Sequence, residues 1–297
     1  MSMPELLQKW WTMLASAPNK ALGLAAWLVA MGLVFGLLER WQPARRRPFL
    51  RAHMGQDVGY YFLGGLLPPF VTVLATACVA LFVSRLVPSG FHAWVAALPF
   101  WLLVAATVVL GDVAFYWAHR WAHENAWLWR LHAIHHSPTE LDWLVNTRAH
   151  PLDLVFARVV SALPILVLGL RQPTPEFERM IAVYATLTTV WAFFVHTNVR
   201  WRLGWIEQLV ATPAFHHWHH ADDTPASLNK NYASLFPWID RLFGTYHLPA
   251  DRLPASYGAD RKLPPTLAGQ LLSPFFREGA ADEPPDALAI AERPSER

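Results

Sequence analysis

The sequence predicts an all-α, multi-spanning membrane protein. We expect a bundle of about four to five transmembrane or re-entrant helices with a cytoplasmic helical cap that carries a histidine-rich metal site. Three observations predict this class. Hydrophobic residues make up 54% of the 297-residue chain and charged residues only 15%, which is typical of a lipid-embedded protein. Several apolar runs approach or exceed the roughly 17–25 residues that a transmembrane helix needs. The 14 histidines are concentrated in short clusters.

Five apolar runs define the predicted membrane region, at residues 21–38, 58–83, 94–117, 154–170 and 180–195. Prolines interrupt some of these runs, which helices in a bilayer tolerate. The first run is expected to be an anchor rather than a cleaved signal, because Glu39 and Arg40 follow it in place of a small-residue cleavage site. The last two runs are short, and we expect a hairpin that either spans the membrane or re-enters one leaflet.

A basic cluster after the first run predicts the sidedness of the protein. Its members are Arg40, Arg45, Arg46, Arg47 and Arg51. The positive-inside rule places such a loop in the cytoplasm, whereas the alternative is a solvated charge run without topological meaning. When the spans are counted from this loop, every histidine cluster falls on the cytoplasmic side. This topology depends on the basic cluster and the apolar runs alone, so the common side of the histidines is an independent result.

The spacing of the histidines predicts convergent side chains. His119 and His123 are four residues apart, so their imidazoles share one helical face. Two triplets combine spacings of three and four, so that each converges from about one turn of helix. The triplets are His132, His135 and His136, and His216, His219 and His220. His150 and His196 stand next to apolar runs and are further candidate ligands. Their structural alternatives are a helix-start residue for His150 and an interfacial residue for His196.

These ten histidines are the predicted metal ligands. Imidazole suits zinc, copper, iron and nickel, so the ligand type alone leaves the metal open. The single cysteine, Cys78, excludes a disulfide, a thiolate zinc site and an iron–sulfur cluster within the chain. Eight to ten imidazoles are enough for two metals with about five ligands each. Some nearby polar residues are candidates for orienting the imidazoles or balancing charge, namely Asp112, Tyr116, Glu124, Asp142 and Asp153.

The order of the clusters resembles the fatty acid hydroxylase and sterol desaturase superfamily of histidine-box proteins. Members carry a His-x3-His box followed by two His-x2-His-His boxes among membrane helices, and the boxes here are residues 119–123, 132–136 and 216–220. The likeness covers about 112–246, including 146–151, 196–198 and the closing segment 231–246. Some relatives carry a further histidine after the one that matches His196. This chain has Asn198 and Arg200 there, which leaves His150, Asn198 or water to complete the ligand set.

The resemblance implies a reaction, cofactors and partners. Members use two iron ions and O2 to break an unactivated C–H bond of a fatty acyl chain, sterol, ether lipid or related molecule, with hydroxylation or desaturation as the result. It therefore implies an integral membrane oxidoreductase that acts on a membrane lipid, with zinc as a replacement for iron on purification. A separate electron donor, such as a cytochrome b5-like protein or a ferredoxin with its reductase, is expected because no fused cytochrome b5 domain is evident.

The expected organisation has anchor helices at 1–110, a catalytic domain at 111–250 and a Pro-rich, flexible tail at 251–297. Two other functions stay open. A membrane metal-binding or transport protein would spread its ligands through the membrane depth. A zinc-dependent hydrolase would need a His-Glu-x-x-His pattern, of which His123-Glu124 supplies only the first half. The net charge of +2 and the lack of a nucleic-acid-binding pattern argue against nucleic acid. The oligomeric state is not predicted by the sequence.

Overall fold

The computed structural model describes residues 17–48, 50–169, 175–250, 252–259 and 261–276, which form helices joined by loops. The α-helices are α1 Ala17–Trp41, α2 Met54–Leu66, α3 Pro68–Leu86, α4 Ser89–Ala96, α5 Phe100–Glu124, α6 Ala126–His136, α7 Pro151–Val167, α8 Pro175–Val195, α9 Pro213–His219, α10 Pro237–Leu242 and α11 Leu267–Leu272. Short 3-10 helices lie at Trp143–Thr147, Gly204–Gln208 and Ser273–Phe275. Within these ranges, strand pairing is limited to two isolated bridges. The predicted all-α class is confirmed.

Two described helices are long and apolar enough to cross a membrane. They are Pro18–Trp41, which makes up nearly all of α1, and Phe100–Glu124, which is α5. Large apolar side chains along α1, such as those of Leu22, Val29 and Leu37, are exposed, as contact with lipid requires. Helices α2 and α3 are apolar enough to form a third span if they are counted together. The pair bends by 42° at a short break.

Prolines divide two of the predicted apolar runs. The run at 58–83 is broken between α2 and α3, where Pro68 begins the new helix. The run at 94–117 is broken too, since α4 ends at Ala96 and Pro99 precedes α5. Proline lacks the amide hydrogen that would continue a helix but suits its first turn. As a result, α5 starts later than predicted and continues to Glu124.

The predicted membrane hairpin corresponds to α7 and α8. Helix α7 has 17 residues with Pro164 inside it, and α8 has 21 residues. Among the described residues, neither helix meets the length and hydropathy requirements for a span. The count of four to five helices in the membrane is therefore not confirmed, and the choice between spanning and re-entry stays a prediction. Leu170, the end of the predicted fourth run, lies outside the described residues.

A buried network of charged side chains joins α2 to the loop before α7. Arg51 donates to the two carboxylate oxygens of Asp142, at 2.7 and 3.1 Å, and also pairs with Asp57. Asp57 accepts a further hydrogen bond from Arg148 at 2.5 Å. Because Asp57 and Asp142 are fully buried, each needs such partners to stay charged.

The same network reaches the end of α1. Arg47 bridges Asp142, at 2.6 Å, and Glu39 of α1. One oxygen of Glu39 also accepts the backbone N–H groups of Trp143, at 2.8 Å, and Asn198, at 2.9 Å. Two predicted anchor helices are thereby attached to the loops that precede α7 and follow α8.

The basic cluster therefore has a structural role that the sequence did not reveal. Arg47 and Arg51 form internal ion pairs, and the guanidinium of Arg45 lies 4.5 Å from the ring centre of Tyr257. Arg46 is exposed. The positive-inside argument rests on fewer free charges than the sequence shows, and the cytoplasmic placement stays a prediction.

Part of the region expected to be a flexible tail packs against the bundle. Tyr60 of α2 donates to Gln270 of α11 at 3.1 Å, and Arg261 donates to the backbone carbonyl of Ser273 at 2.9 Å. Arg130 of α6 donates to the carbonyl of Phe276 at 2.7 Å. The described part of this region is thus attached at several points, and residues 277–297 lie outside the description.

We expect Arg51→Ala to lower the free energy of unfolding by about 3–5 kcal/mol, because Asp142 and Asp57 would lose a shared partner while remaining buried. Thermal unfolding in lipid nanodiscs measures the effect. Arg46→Ala is the matched control, since it removes an exposed charge of the same loop. Its expected change is within about 0.5 kcal/mol. Equal changes in the two variants would contradict a stabilising role for the network.

Candidate metal centre

Nine buried histidines gather into two adjoining groups. In each group, one nitrogen from every ring lies within 4.8 Å of the others. The five-histidine group is His119, His123, His132, His136 and His219, and the four-histidine group is His135, His196, His216 and His220. All nine side chains belong to residues that are only 1–8% exposed. The rings of His136 and His220 stack across the boundary with their centres 4.3 Å apart.

Helices α5 and α6 supply the first two boxes. The end of α5 presents His119 and His123, and the chain then turns at Asn125, whose side chain accepts the N–H groups of residues 127 and 128 and so begins α6. This cap starts the second helix immediately after the first. Helix α6 then places His132 in the five-histidine group and His135 in the four-histidine group.

The third box lies on α9 and its C-terminal cap. Thr212 caps this helix by accepting the N–H of Phe215, and Pro213 occupies its first turn. Like the second box, it contributes to both groups: His219 belongs to the five-histidine group, and His216 and His220 belong to the four-histidine group. His196 follows α8 directly and joins His216, with 2.9 Å between their Nε2 atoms.

The hydrogen bonds of the five-histidine group fix which ring nitrogens are bare. Nδ1 of His119 lies 2.8 Å from the carbonyl oxygen of Tyr232, and Nδ1 of His132 lies 3.0 Å from a carboxylate oxygen of Asp153. Both partners accept hydrogen bonds, so each Nδ1 carries a proton and each Nε2 is turned toward the group. Those two Nε2 atoms are only 3.2 Å apart. A metal ion between them would take both nitrogens as ligands.

The four-histidine group repeats the arrangement. Nδ1 of His135 donates to the carbonyl of Arg148 at 3.1 Å, and Nδ1 of His196 donates to the carbonyl of Ala192 at 2.7 Å. Their bare Nε2 atoms again face one another at 3.2 Å. Two independent pairs therefore show the same unsatisfied geometry, which fits one metal ion in each group.

Several other ring nitrogens in the two groups are buried without a hydrogen-bond partner. Both nitrogens of His123 are in this state, as are Nε2 of His136, Nε2 of His219 and Nδ1 of His220. Buried polar atoms in native proteins almost always have partners, and a bound ion is one accepted explanation for those that do not. The donor set thus fits two metal ions held by nitrogen ligands.

Burial keeps the histidines of the four-histidine group neutral. It is the main cause that lowers the pKa of His135 to about 3, with repulsion from His132 adding to it. For the same reasons, burial first and neighbouring imidazoles second, the pKa values of His196, His216 and His220 lie well below the ordinary value. Neutral rings at pH 7 leave their lone pairs available to a metal without prior loss of a proton.

The structure places His150 outside both groups. Its Nδ1 accepts the N–H of Leu152 as the N-cap of α7, and its Nε2 donates to the carbonyl of Leu271 at 3.1 Å. Because both nitrogens are engaged by the backbone, the geometry does not support the predicted ligation by His150. Asn198, the other candidate, bonds the backbone of Arg45 instead. His217 also lies outside both groups and bonds the carbonyl of Thr197 and the hydroxyl of Tyr257.

Of the five polar residues named from the sequence, Asp153 is the one that the described structure shows hydrogen-bonded to a clustered histidine, His132. Asp112 instead accepts the N–H groups of residues 234–236, Asp142 belongs to the arginine network, and Glu124 pairs with Arg120 at 2.8 Å. Tyr116 shares a hydrogen bond with Thr245 at 3.0 Å.

The carbonyl partners of the histidines were missed by sequence reasoning. Lys230 and Tyr232 belong to a loop whose carbonyls accept from His219 and His119. Asp240 fixes this loop by accepting the N–H groups of Tyr232, at 2.7 Å, and Ala233, at 2.9 Å. Since every residue has a carbonyl group, no residue type marks these positions. The closing segment 231–246 was the signal that the sequence offered, because it contains Asp240, whose carboxylate holds the loop.

Comparisons with known proteins point to the region of the chain that carries the clustered histidines. Residues 104–245 match the model of the fatty acid hydroxylase family, and this range contains all nine clustered histidines. No solved structure matches the chain.

Curated relatives are lipid-modifying enzymes by name. The chain is 35% identical over 189 residues to an ornithine lipid hydroxylase of Rhizobium tropici, which covers 63% of this chain and 55% of the relative. It is 31% identical over 160 residues to an alkylglycerol monooxygenase of Danio rerio, covering 54% and 33%. It is 25% identical over 174 residues to a delta(7)-sterol 5(6)-desaturase of Aspergillus fumigatus, covering 52% and 51%.

The chain therefore spans about half the length of the hydroxylase and the desaturase, and a third of the monooxygenase. The region that matches the family model, 104–245, is the one that holds the two histidine groups. On the order of its boxes, the geometry of the clustered histidines and the match to the family model, the region 104–245 of this chain belongs to the fatty acid hydroxylase family.

Proposed function

We propose that this protein is an integral membrane di-iron oxidoreductase that uses O2 and an external electron donor to hydroxylate or desaturate a lipid at an unactivated C–H bond. The observation that carries the proposal is the pair of buried histidine groups whose bare nitrogens face one another. The family match, and the hydroxylase, monooxygenase and desaturase among the relatives, support the class of reaction.

The donor set favours two redox-active metals over one structural zinc. A structural zinc site closes with four ligands and commonly includes thiolate, whereas this site offers nine imidazoles. Iron is among the metals that imidazole suits. Two iron ions held by the five-histidine and four-histidine groups would supply O2 activation and oxidation of the lipid.

The chain's own residues hold, orient and shield this centre. Backbone carbonyls at positions 148, 192, 230 and 232 fix the ring orientations through Nδ1, which aims each Nε2 at its group. The low exposure of all nine residues excludes bulk water, which strengthens electrostatic interactions and limits side reactions.

The two alternative functions receive less support. A metal transporter would distribute its ligands along a path through the membrane, but the nine histidines adjoin one another. A zinc hydrolase would aim a glutamate at the metal. Glu124 points instead to Arg120, and its side chain is 43% exposed.

We place the metal centre on the cytoplasmic side and the lipid substrate in the adjacent leaflet. The end of α5, a candidate membrane span, carries two ligands, so the centre lies close to the membrane boundary. Electrons require a separate donor, such as a cytochrome b5-like protein or a ferredoxin with its reductase. The single cysteine is too few to hold an iron–sulfur cluster.

We expect protein purified without oxygen to bind two iron ions per chain. His196→Ala is expected to lower this number, because it removes a ligand from the four-histidine group. His150→Ala is the matched control and is expected to keep both metals, since both nitrogens of His150 bond the backbone. Metal analysis by mass spectrometry gives the ratio. Loss of metal in the control alone would contradict the assignment.

We expect cells that express the protein to accumulate a lipid that has gained one oxygen atom or lost two hydrogen atoms. His135→Ala and His219→Ala each remove one ligand, from different groups, and are expected to reduce this product to background. Comparative lipidomics measures it, with membrane levels of each variant checked by immunoblot and His150→Ala as the active control. Full product formation by both ligand variants would exclude a dinuclear catalytic site.

A further inference from the structure

One charged contact distinguishes the five-histidine group from the four-histidine group. Among the clustered histidines of the described structure, His132 is the one whose ring nitrogen bonds a carboxylate, that of Asp153 at 3.0 Å. The corresponding partners of His119, His135 and His196 are neutral backbone carbonyls. The two groups therefore differ in the charge held behind their rings as well as in ligand number.

The carboxylate of Asp153 is not neutralised by a permanent cation in the described structure. Its side chain is 11% exposed, and its ion-pair partner is His132. By contrast, the buried carboxylates of Asp57 and Asp142 are each paired with arginine. Asp153 lies in the first turn of α7, where the helix dipole favours a negative charge. Its charge is thus directed to the metal centre through a single imidazole.

We propose that Asp153 makes the five-histidine group the tighter of the two metal sites, so that metals load in a fixed order, with this group first and the four-histidine group second. This inference rests on the proposed function, because it requires both groups to bind metal. A carboxylate behind a ligand imidazole makes the ring more basic, and such partners commonly contribute about 10–100-fold in metal affinity. The carbonyl partners in the four-histidine group carry no net charge. Asp153 is accordingly a positioning residue, which acts on the metal through His132.

The test is a Zn2+ titration of the full-length protein in nanodiscs after removal of metal, in competition with a chromophoric chelator. Wild-type protein is expected to bind in two steps of one metal each, separated by about tenfold or more. Asp153→Asn is expected to weaken binding to the five-histidine group by about 10–100-fold and to leave binding to the four-histidine group unchanged, so that the two steps merge or exchange order. Asparagine keeps the shape and an acceptor oxygen, so the substitution isolates the charge.

Two further variants assign the steps to the groups. His216→Ala removes a ligand of the four-histidine group and is expected to leave the tight step alone. Asp153→Asn in that background is expected to weaken the remaining step by the same factor. Glu207→Gln is the control, because Glu207 is a buried acid that bonds Arg202 and the N–H of Leu203, away from the histidines. It is expected to leave both steps unchanged.

Asp153→Glu provides a second measure if the asparagine variant does not fold, as judged by unfolding of the metal-free protein. Glutamate keeps the charge, so first-step affinity is expected to exceed that of Asp153→Leu, which lacks it. An unchanged first step in Asp153→Asn, or equal weakening of both steps, would overturn the inference. Equal first steps in the glutamate and leucine variants would overturn it as well. Binding of only one Zn2+ by wild-type protein would instead overturn the dinuclear centre.

Discussion

Nine buried imidazoles that turn their nitrogens toward one another form two groups able to hold a metal ion, and the surrounding helices and loops are arranged around them. Helices α5, α6 and α9 bring the histidines together, but loops decide how the rings point. The carbonyls of Arg148, Lys230 and Tyr232 accept from three of the rings, and they come from two loops far apart in sequence. A change in one of these loops would therefore alter the metal centre without touching a ligand.

The charged network extends this dependence to the anchor helices. Glu39 at the end of α1 binds the N–H of Asn198, two residues after the ligand His196, while Arg148 bonds Asp57 of α2 and presents its carbonyl to His135. The predicted anchor helices are thus bonded to the segments that carry the histidine groups. A boundary at residue 110 divides the sequence by hydropathy, but the described hydrogen bonds and ion pairs cross it.

The sequence predicted most of the candidate centre because helical spacing decides which side chains share a face. The structure brings His196 into a histidine group but not His150. A histidine before a helix-starting proline can either ligate or cap the helix, and the sequence does not distinguish the two; here the N–H of Leu152 bonds its Nδ1. Hydropathy predicted the helical class but not the breaks at Pro68 and Pro99. The buried ion pairs of Arg51 with Asp57 and Asp142 could not be predicted, because the sequence around Arg51 does not indicate which distant residues it contacts.

The division of the second and third boxes between the two groups has a consequence for how this centre can change. Helix α6 gives His132 and His136 to the five-histidine group and His135 to the four-histidine group. Helix α9 with its cap gives His219 to the first group and His216 and His220 to the second. A rotation of either helix would therefore disturb both histidine groups together. Neither group can be deleted, exchanged or inherited alone, so a descendant with one histidine group would have to rebuild both helices rather than lose one.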